Sequence, residues 1–185
     1  IFILADDLGY GDCSCYGQEN WKTENVDKMA EEGIRFTEFY TTSPVCSPAR
    51  TSILTGLNSG HSPIRQLQDP FLPDEFLTIP KMLKKAGYTS ACIGKYGIGK
   101  GQPVDDPFKK GFDYYYGYNC MGHAHNYYPP FLMDNGDKSL LRNEPPVWDI
   151  DQWETGKGVA EKKIDYSPDF IERKALKYIE ANQNK

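Results

Sequence analysis

The sequence lacks an apolar run approaching the roughly 18 residues that a membrane-spanning helix needs, so no such helix is expected. It lacks a basic block. Its Lys and Arg are scattered and its formal net charge is −5, which argues against a partner built on a phosphate backbone. Its five cysteines, Cys13, Cys15, Cys46, Cys92 and Cys120, contain no C-x-x-C pair and match no zinc spacing. The odd number leaves one unpaired if the others bridge. Cys46 is the natural odd one, and the redox compartment stays undecided. There is no N-x-S/T sequon, no internal repeat and no low-complexity tract. There is no initiator methionine: the chain opens on Ile1-Phe2-Ile3-Leu4-Ala5, a strand already under way. We therefore expect a piece cut at both ends, with any leader peptide left out.

What is present is a globular composition. The 185 residues are 39% hydrophobic and 25% charged, enough for one α/β domain with a core. Ile1 to Ala5 reads as a central parallel strand buried on both faces, delivering Asp6 and Asp7 at its carboxyl end, the edge of an open α/β sheet where ligands bind. A Gly-rich loop, Leu8 to Asp12, follows. Thr23 to Glu32 has Val26, Met29 and Ala30 at helical spacing behind a cap-like Thr23, and Gly33 ends it. Ile34 to Tyr40 reads as a strand. Asn58 to Pro73 is loop, Leu77 to Ala86 a helix with Ile79, Met82 and Leu83 inward, and Tyr88 to Ile93 the next strand. This β–α–β–α–β alternation predicts an α/β fold with a mostly parallel sheet and helices on both faces. Beyond another loop at Gly97 to Lys110 come an aromatic strand over Phe112 to Tyr118 and the histidine-bearing segment Asn119 to Tyr128. An irregular excursion over 129–166 follows, with a short hairpin at Phe131 to Leu141. An amphipathic helix is expected from Ser167 to Asn182.

The chemistry centres on Cys46-Ser47-Pro48-Ala49-Arg50-Thr51-Ser52-Ile53-Leu54-Thr55-Gly56. Ser47 suits an N-cap and Pro48 a first helical position. Arg50, one turn on from Cys46, shares its side of the helix. A nucleophile-type atom then sits at the positive end of a helix beside a guanidinium, a place for a tetrahedral oxyanion. Asp6 and Asp7 can supply hard oxygen ligands to Ca²⁺ or Mg²⁺. Lys95, at a strand end, can meet an anion as a point charge. His61 reads as structural, Arg65 has no spacing argument, and the Tyr114-Tyr115-Tyr116 run with Trp148 and Trp153 reads as core.

Cys-Ser-Pro-Ala-Arg running into Leu-Thr-Gly resembles the C-x-P-x-R active-site motif of type I sulfatases, in the alkaline phosphatase superfamily. Asp6 to Asp12 resembles that family's opening metal loop, and Gly87 to Tyr96 its strand ending in Gly-Lys-aromatic. The resemblance implies an alkaline-phosphatase-like fold and makes residues 1–185 the N-terminal part of a sulfatase catalytic domain. It also implies that Cys46 is oxidised to formylglycine (3-oxoalanine) by a formylglycine-generating or anaerobic sulfatase-maturing enzyme. The aldehyde hydrate then attacks the sulfur of a sulfate monoester, with a glycan sulfate as the expected substrate. Asp6, Asp7 and residue 46 are the implied metal ligands, for Ca²⁺ with Mg²⁺ as the alternative; Arg50 and Lys95 neutralise charge. The commoner pattern places a histidine two residues after the lysine, where this chain has Gly97. Gly122 to Pro129 resembles the Ala-His-aromatic-Tyr-Pro-like segment of a bacterial variant, so His125 is expected to face the sulfate pocket, with His123 the second candidate. The family also implies a periplasmic or secreted location, and further ligands from beyond Lys185 that would leave this piece inactive alone. The rival readings are a phosphate or phosphonate monoester hydrolase on the same fold, and a non-catalytic anion-binding module with an unmodified Cys46.

Overall fold

The computed structural model describes residues 1–67, 71–99, 105–145 and 150–183. Trp148 and parts of the loops expected at Asn58 to Pro73 and Gly97 to Lys110 lie outside the described residues. The chain divides into two compact units, Ile1–Thr41 and Thr42–Lys185.

In the first unit, α1 spans Glu24–Glu32 behind Thr23. Thr23 does not cap with its hydroxyl. That oxygen bonds instead to Asp27 Oδ1 at 3.1 Å and accepts from the Ser14 amide at 3.0 Å. Ser14 Oγ in turn donates to Asp27 Oδ2. These bonds hold the Asp27 carboxyl below its usual range, Ser14 contributing most, and pin α1 to a short 3-10 turn at Ser14–Tyr16. Asp12 closes the Gly-rich loop by accepting from the Gly9 amide at 2.7 Å.

Neither expected strand of this unit forms. Ile1 to Ala5 and Ile34 to Tyr40 have no ladder among the described residues, and Ile1 is 97% and Ile34 81% exposed. A parallel strand buried on both faces needs a hydrogen-bonded neighbour and apolar cover on each face, and these segments have neither. Asp6 and Asp7 therefore do not stand at a strand end, and Asp7 takes a left-handed conformation (φ 57°). The Val26 and Met29 face of α1 is likewise exposed.

The second unit holds the sheet. Its order is β1 (Ala91–Gly94), β2 (Tyr114–Gly117), β3 (Phe131–Asp134) and β4 (Asp137–Leu140). β1 and β2 run parallel, whereas β2–β3 and β3–β4 are antiparallel. The α/β class is as expected, but the sheet is mixed rather than mostly parallel. The reason lies in the connection after β3: Asn135 and Gly136 both take positive φ, the two-residue geometry that turns a strand straight back on itself. The hairpin expected at Phe131 to Leu141 is this one, and Asn135 also locks onto Tyr115, donating its amide to the Tyr115 carbonyl at 2.9 Å.

Side chains alternate across the strands. Tyr115, Phe131 and Met133 enter one buried cluster with Ile64, Leu72, Tyr96 and Ile98, against which Leu54 packs. Tyr116 and Leu132 enter another with Tyr118 and Leu141, covered by Phe170 and Ile171. Those covers come from α2 (Cys46–Thr55) and α5 (Ser167–Asn182), so helices lie on both faces. Tyr115 and Tyr116 of the tyrosine run are core on opposite faces, and Tyr114 is partly buried against the second cluster. Trp153, on α4 (Ile150–Glu154), is also buried. The remaining helix, α3 (Ile79–Lys85), starts two residues later than expected because Thr78 caps it, accepting from the Lys81 amide. Its Ile79 and Met82 are exposed.

Gly117 has no room for a side chain: a Cβ there would lie 1.9 Å from the Gly94 carbonyl oxygen. This close approach aligns the ends of β1 and β2 and fixes where the chain leaves the sheet toward Lys95. Beside this sheet Lys110, 1% exposed, pairs with Asp74 and lies 3.9 Å from the fully buried Asp105. Burial lifts the Asp105 carboxyl to about 6.

Candidate functional site

α2 begins at Cys46, with Val45 as the extended N-cap residue. Ser47 is thus the second helical residue and Pro48 the third, each two positions further into the helix than the sequence suggests. Ser47 is buried, and its Oγ accepts from the Gly99 amide at 3.4 Å rather than from its own helix. With that hydroxyl occupied, the extended Val45 backbone starts the helix, its carbonyl taking the Ala49 amide at 3.1 Å. The first amides of a helix have no intrahelical partner, and Pro48 costs none that the helix itself would use. The far end closes at Gly56, left-handed at φ 73°. Cys46 therefore stands in the first turn of a ten-residue helix, where the dipole favours an anion.

Arg50 follows one turn later and donates from Nη1 to the Lys95 carbonyl. Lys95 is the residue after β1, so this bond ties α2 to the carboxyl end of the parallel strand pair. Gly97 separates the two cations from any side chain of its own. It sits at φ 67°, and a Cβ on it would lie 2.7 Å from Arg50 Cδ and 3.2 Å from Lys95 Cε. Burial pushes the Cys92 thiol up to about 12, with the Arg50 guanidinium pulling the other way, so little of it is thiolate near neutral pH.

The side chain that touches Cys46 is Met121, with Sδ 3.2 Å from Cys46 Sγ. Nothing in the sequence marks it. His123 and His125 sit on a 3-10 turn. His123 is fully buried between Tyr118 and Phe131, at ring-centroid distances of 5.4 and 4.8 Å. Its Nδ1 accepts from the Asn119 amide at 3.0 Å, which puts the ring proton on Nε2. His125 is exposed. His61 bonds Asn58 Oδ1 at 3.0 Å, and Arg65 ties its own loop through the carbonyls of Ser62 and Gly60. Both serve the loop after α2.

Burial lowers the His123 imidazole from its ordinary value to about 4. The unfolded chain then binds more protons than the folded one between pH about 6.5 and about 4, so this group's contribution to stability is full above the upper value and falls away through that window. Asp105, raised to about 6, acts in the opposite sense over an overlapping range. We expect His123→Phe, which keeps the packing with Tyr118 and Phe131, to lose part of the acid sensitivity. The difference in unfolding midpoint between parent and variant, followed from pH 7 to pH 4, should shift toward the variant as the pH falls.

Among the described residues no group of three or more His, Cys, Asp or Glu is assembled that could hold a metal ion. Asp6 and Asp7 lie in the first unit, Cys46, Arg50, Lys95, His123 and His125 in the second. The second unit alone brings together Cys46, Arg50, Lys95 and Met121 around the start of α2. Such an arrangement can bind a tetrahedral anion through helix amides and two cations, next to a sulfur-bearing side chain.

Known proteins resemble this chain throughout its length. A family model described as Sulfatase matches residues 1–184. Rat N-acetylgalactosamine-6-sulfatase is 37% identical over 133 residues, covering 65% of this chain and 25% of its own length. Rat arylsulfatase G is 40% identical, covering 94% of this chain and 37% of its own. The chain thus spans about a quarter of the first of these relatives. Among solved structures, a protein of Bacteroides thetaiotaomicron glycosaminoglycan metabolism labelled 6S-sulf superposes with a TM-score of 0.75 at 23% identity, over 97% of this chain and 47% of that one. A second, solved with its substrate D-glucosamine-2-N,6-O-disulfate, superposes at 0.69 and 27% identity, over 97% of this chain and 30% of its own.

Proposed function

The chain belongs to the sulfatase family, and from that premise we propose that the full-length protein hydrolyses sulfate monoesters, with a sulfated glycan as the substrate class. The observation that carries this reading is the helix start itself: Cys46 in the first turn of α2, with Arg50 one turn on and bonded to the Lys95 backbone. The glycan substrate is supported by the 27%-identical relative, whose substrate is a sulfated glucosamine. An exported location, periplasmic or secreted, goes with the reading.

In this proposal Cys46 is converted to formylglycine by a maturation enzyme. That group supplies a hydrated aldehyde, a nucleophile whose second hydroxyl gives the sulfated adduct a way out. The site fits it in one respect: residue 46 is partly exposed at the positive end of a helix, with Arg50 on the same side. Asp6 and Asp7 have the oxygen chemistry that a hard divalent cation, Ca²⁺ or Mg²⁺, would take, and such a cation would supply a Lewis acid.

This chain's own residues do the rest. The amides of the first turn of α2 orient the sulfate oxygens toward the helix. Arg50 and Lys95 neutralise the charge that grows as the S–O bond to the alcohol lengthens. Arg50 contributes from a fixed position, because its bond to the Lys95 carbonyl removes its freedom before substrate arrives. His125, exposed two residues beyond the buried His123, is the imidazole we assign to proton transfer to the departing alcohol oxygen, on the sequence resemblance alone.

The test uses the full-length protein expressed with a maturation enzyme, an aryl sulfate and the matched aryl phosphate, and mass spectrometry of the peptide containing residue 46. The expected result is sulfate turnover well above phosphate turnover, together with the mass decrease that replacing CH₂SH by CHO requires. A phosphate preference, or an intact thiol in an active protein, overturns the proposal.

A further inference from the structure

The neighbour of the proposed nucleophile is a thioether, and its setting gives it a role. Met121 Sδ lies 3.2 Å from Cys46 Sγ. Met121 is partly exposed. Its backbone is held from below: the Ala124 amide bonds to the Cys120 and Met121 carbonyls, both at 3.1 Å, and the turn that follows is anchored by the fully buried His123, which takes the Asn119 amide. A fixed backbone thus presents a flexible, polarisable side chain directly onto residue 46. Sulfur accepts hydrogen bonds weakly, so the thioether can rest against a thiol or a hydroxyl without capturing it.

We propose that Met121 is a positioning residue for the side chain at 46 and, through its sulfur, an oxidation-sensitive modification site at which a hydroperoxide turns the site off. The proposal rests on the reading that residue 46 is the nucleophile. In the modifying step the peroxide O–O bond breaks and an S–O bond forms at Sδ. Sulfur is oxidised by two electrons, and hydrogen peroxide is reduced to water. The product replaces an apolar contact with a strong acceptor and a negative dipole. Beside residue 46 that dipole competes for its hydroxyl hydrogens and repels a sulfate held by the helix start and Arg50. Reduction of the sulfoxide by a methionine sulfoxide reductase restores the thioether and the site.

Of the other methionines, Met133 is buried at 6%, while Met29 and Met82 are exposed. Peroxide will therefore modify more than Met121, and a variant at 121 is the control. Met121→Leu fills similar space without an oxidisable sulfur, whereas Met121→Ala opens the contact.

Two measurements decide the matter. In the full-length protein made without maturation, Cys46 is a thiol, and its alkylation by iodoacetamide is followed on the peptide by mass spectrometry. Met121→Ala should raise that rate at least about fivefold, and Met121→Leu should stay near the parent, because thiol reactivity follows local exposure. In the matured full-length protein treated with hydrogen peroxide, kcat/KM on an aryl sulfate should fall about tenfold or more in step with the sulfoxide at Met121, since small misplacements of a reacting group are costly. A methionine sulfoxide reductase should restore it, and Met121→Leu should keep its own untreated rate. An unchanged alkylation rate in Met121→Ala, or equal peroxide sensitivity in Met121→Leu and the parent, overturns the proposal. If the matured parent turns over no sulfate ester, the functional reading falls, and the alkylation measurement alone decides the role of Met121.

Discussion

Replacing Cys46 with alanine in the full-length protein should lower sulfate-ester turnover by on the order of 10⁴-fold or more, the scale of a lost nucleophile, while leaving the fold intact. The two halves of that expectation have separate grounds. The position is the first residue of α2, where alanine is a good helix former. The side chain is only partly buried, and its sulfur lies 3.2 Å from that of the flexible Met121. Truncation therefore leaves no buried polar group and no large cavity. The anchors of the helix are elsewhere: the buried Ser47 against Gly99, Thr51 bonded to the Ser47 carbonyl at 2.9 Å, and Gly56 at the far end. What the variant should keep is anion binding, because the helix amides, Arg50 and Lys95 are untouched. The check is a pair of measurements on Cys46→Ala: kcat on an aryl sulfate, and the affinity for inorganic sulfate as a competitor of substrate analogues. Near-normal turnover would remove residue 46 from the chemistry. Lost turnover together with an unchanged unfolding midpoint and retained sulfate affinity is the expected pattern.

The elements legible in the sequence are those whose signal is local. α5 is found over Ser167–Asn182 as its amphipathic spacing predicts, because a helix carries its own hydrogen bonds. The β3–β4 hairpin is found where expected, since an Asn-Gly pair specifies the turn without help from elsewhere. Ile1 to Ala5 and Ile34 to Tyr40 are apolar for the same reason any core strand is, yet apolarity states only that cover is wanted. Strand pairing is a contact between distant segments, and neither segment finds a partner among the described residues.

The site divides in the same way. Cys46 and Arg50 are one helical turn apart, so spacing alone puts them on one side. Lys95 joins them through a backbone contact that spacing does not show. Met121 meets Cys46 across 75 residues of sequence, and no residue pattern announces such a contact. His123 misled because residue type is visible and burial is not. His123 has the chemistry of a catalytic group and the surroundings of a core aromatic.

Gly97 shows how an apparent loss in the sequence becomes a requirement in the structure. Restoring the histidine of the commoner pattern, as Gly97→His, should not improve the enzyme but should lower kcat/KM by about 10²- to 10³-fold, the range found when a catalytic charge is displaced or lost. Two costs combine. The backbone at 97 is left-handed, φ 67°, which costs a residue with a Cβ roughly 1–2 kcal/mol. The Cβ would also stand 2.7 Å from Arg50 Cδ and 3.0 Å from Arg50 Nε, so the guanidinium must leave the position from which it bonds the Lys95 carbonyl. Gly97→Ala carries both costs in milder form and separates them by a double-mutant cycle. In an Arg50→Ala background the collision with Arg50 is gone, while the backbone cost and the 3.2 Å approach to Lys95 Cε remain, so the two losses should fall well short of additive. Strict additivity would mean that position 97 does not act through Arg50. Activity of Gly97→His within about threefold of the parent, below the cost of even one displaced charge, would mean that Arg50 tolerates the move and that the fixed guanidinium is not what the site depends on.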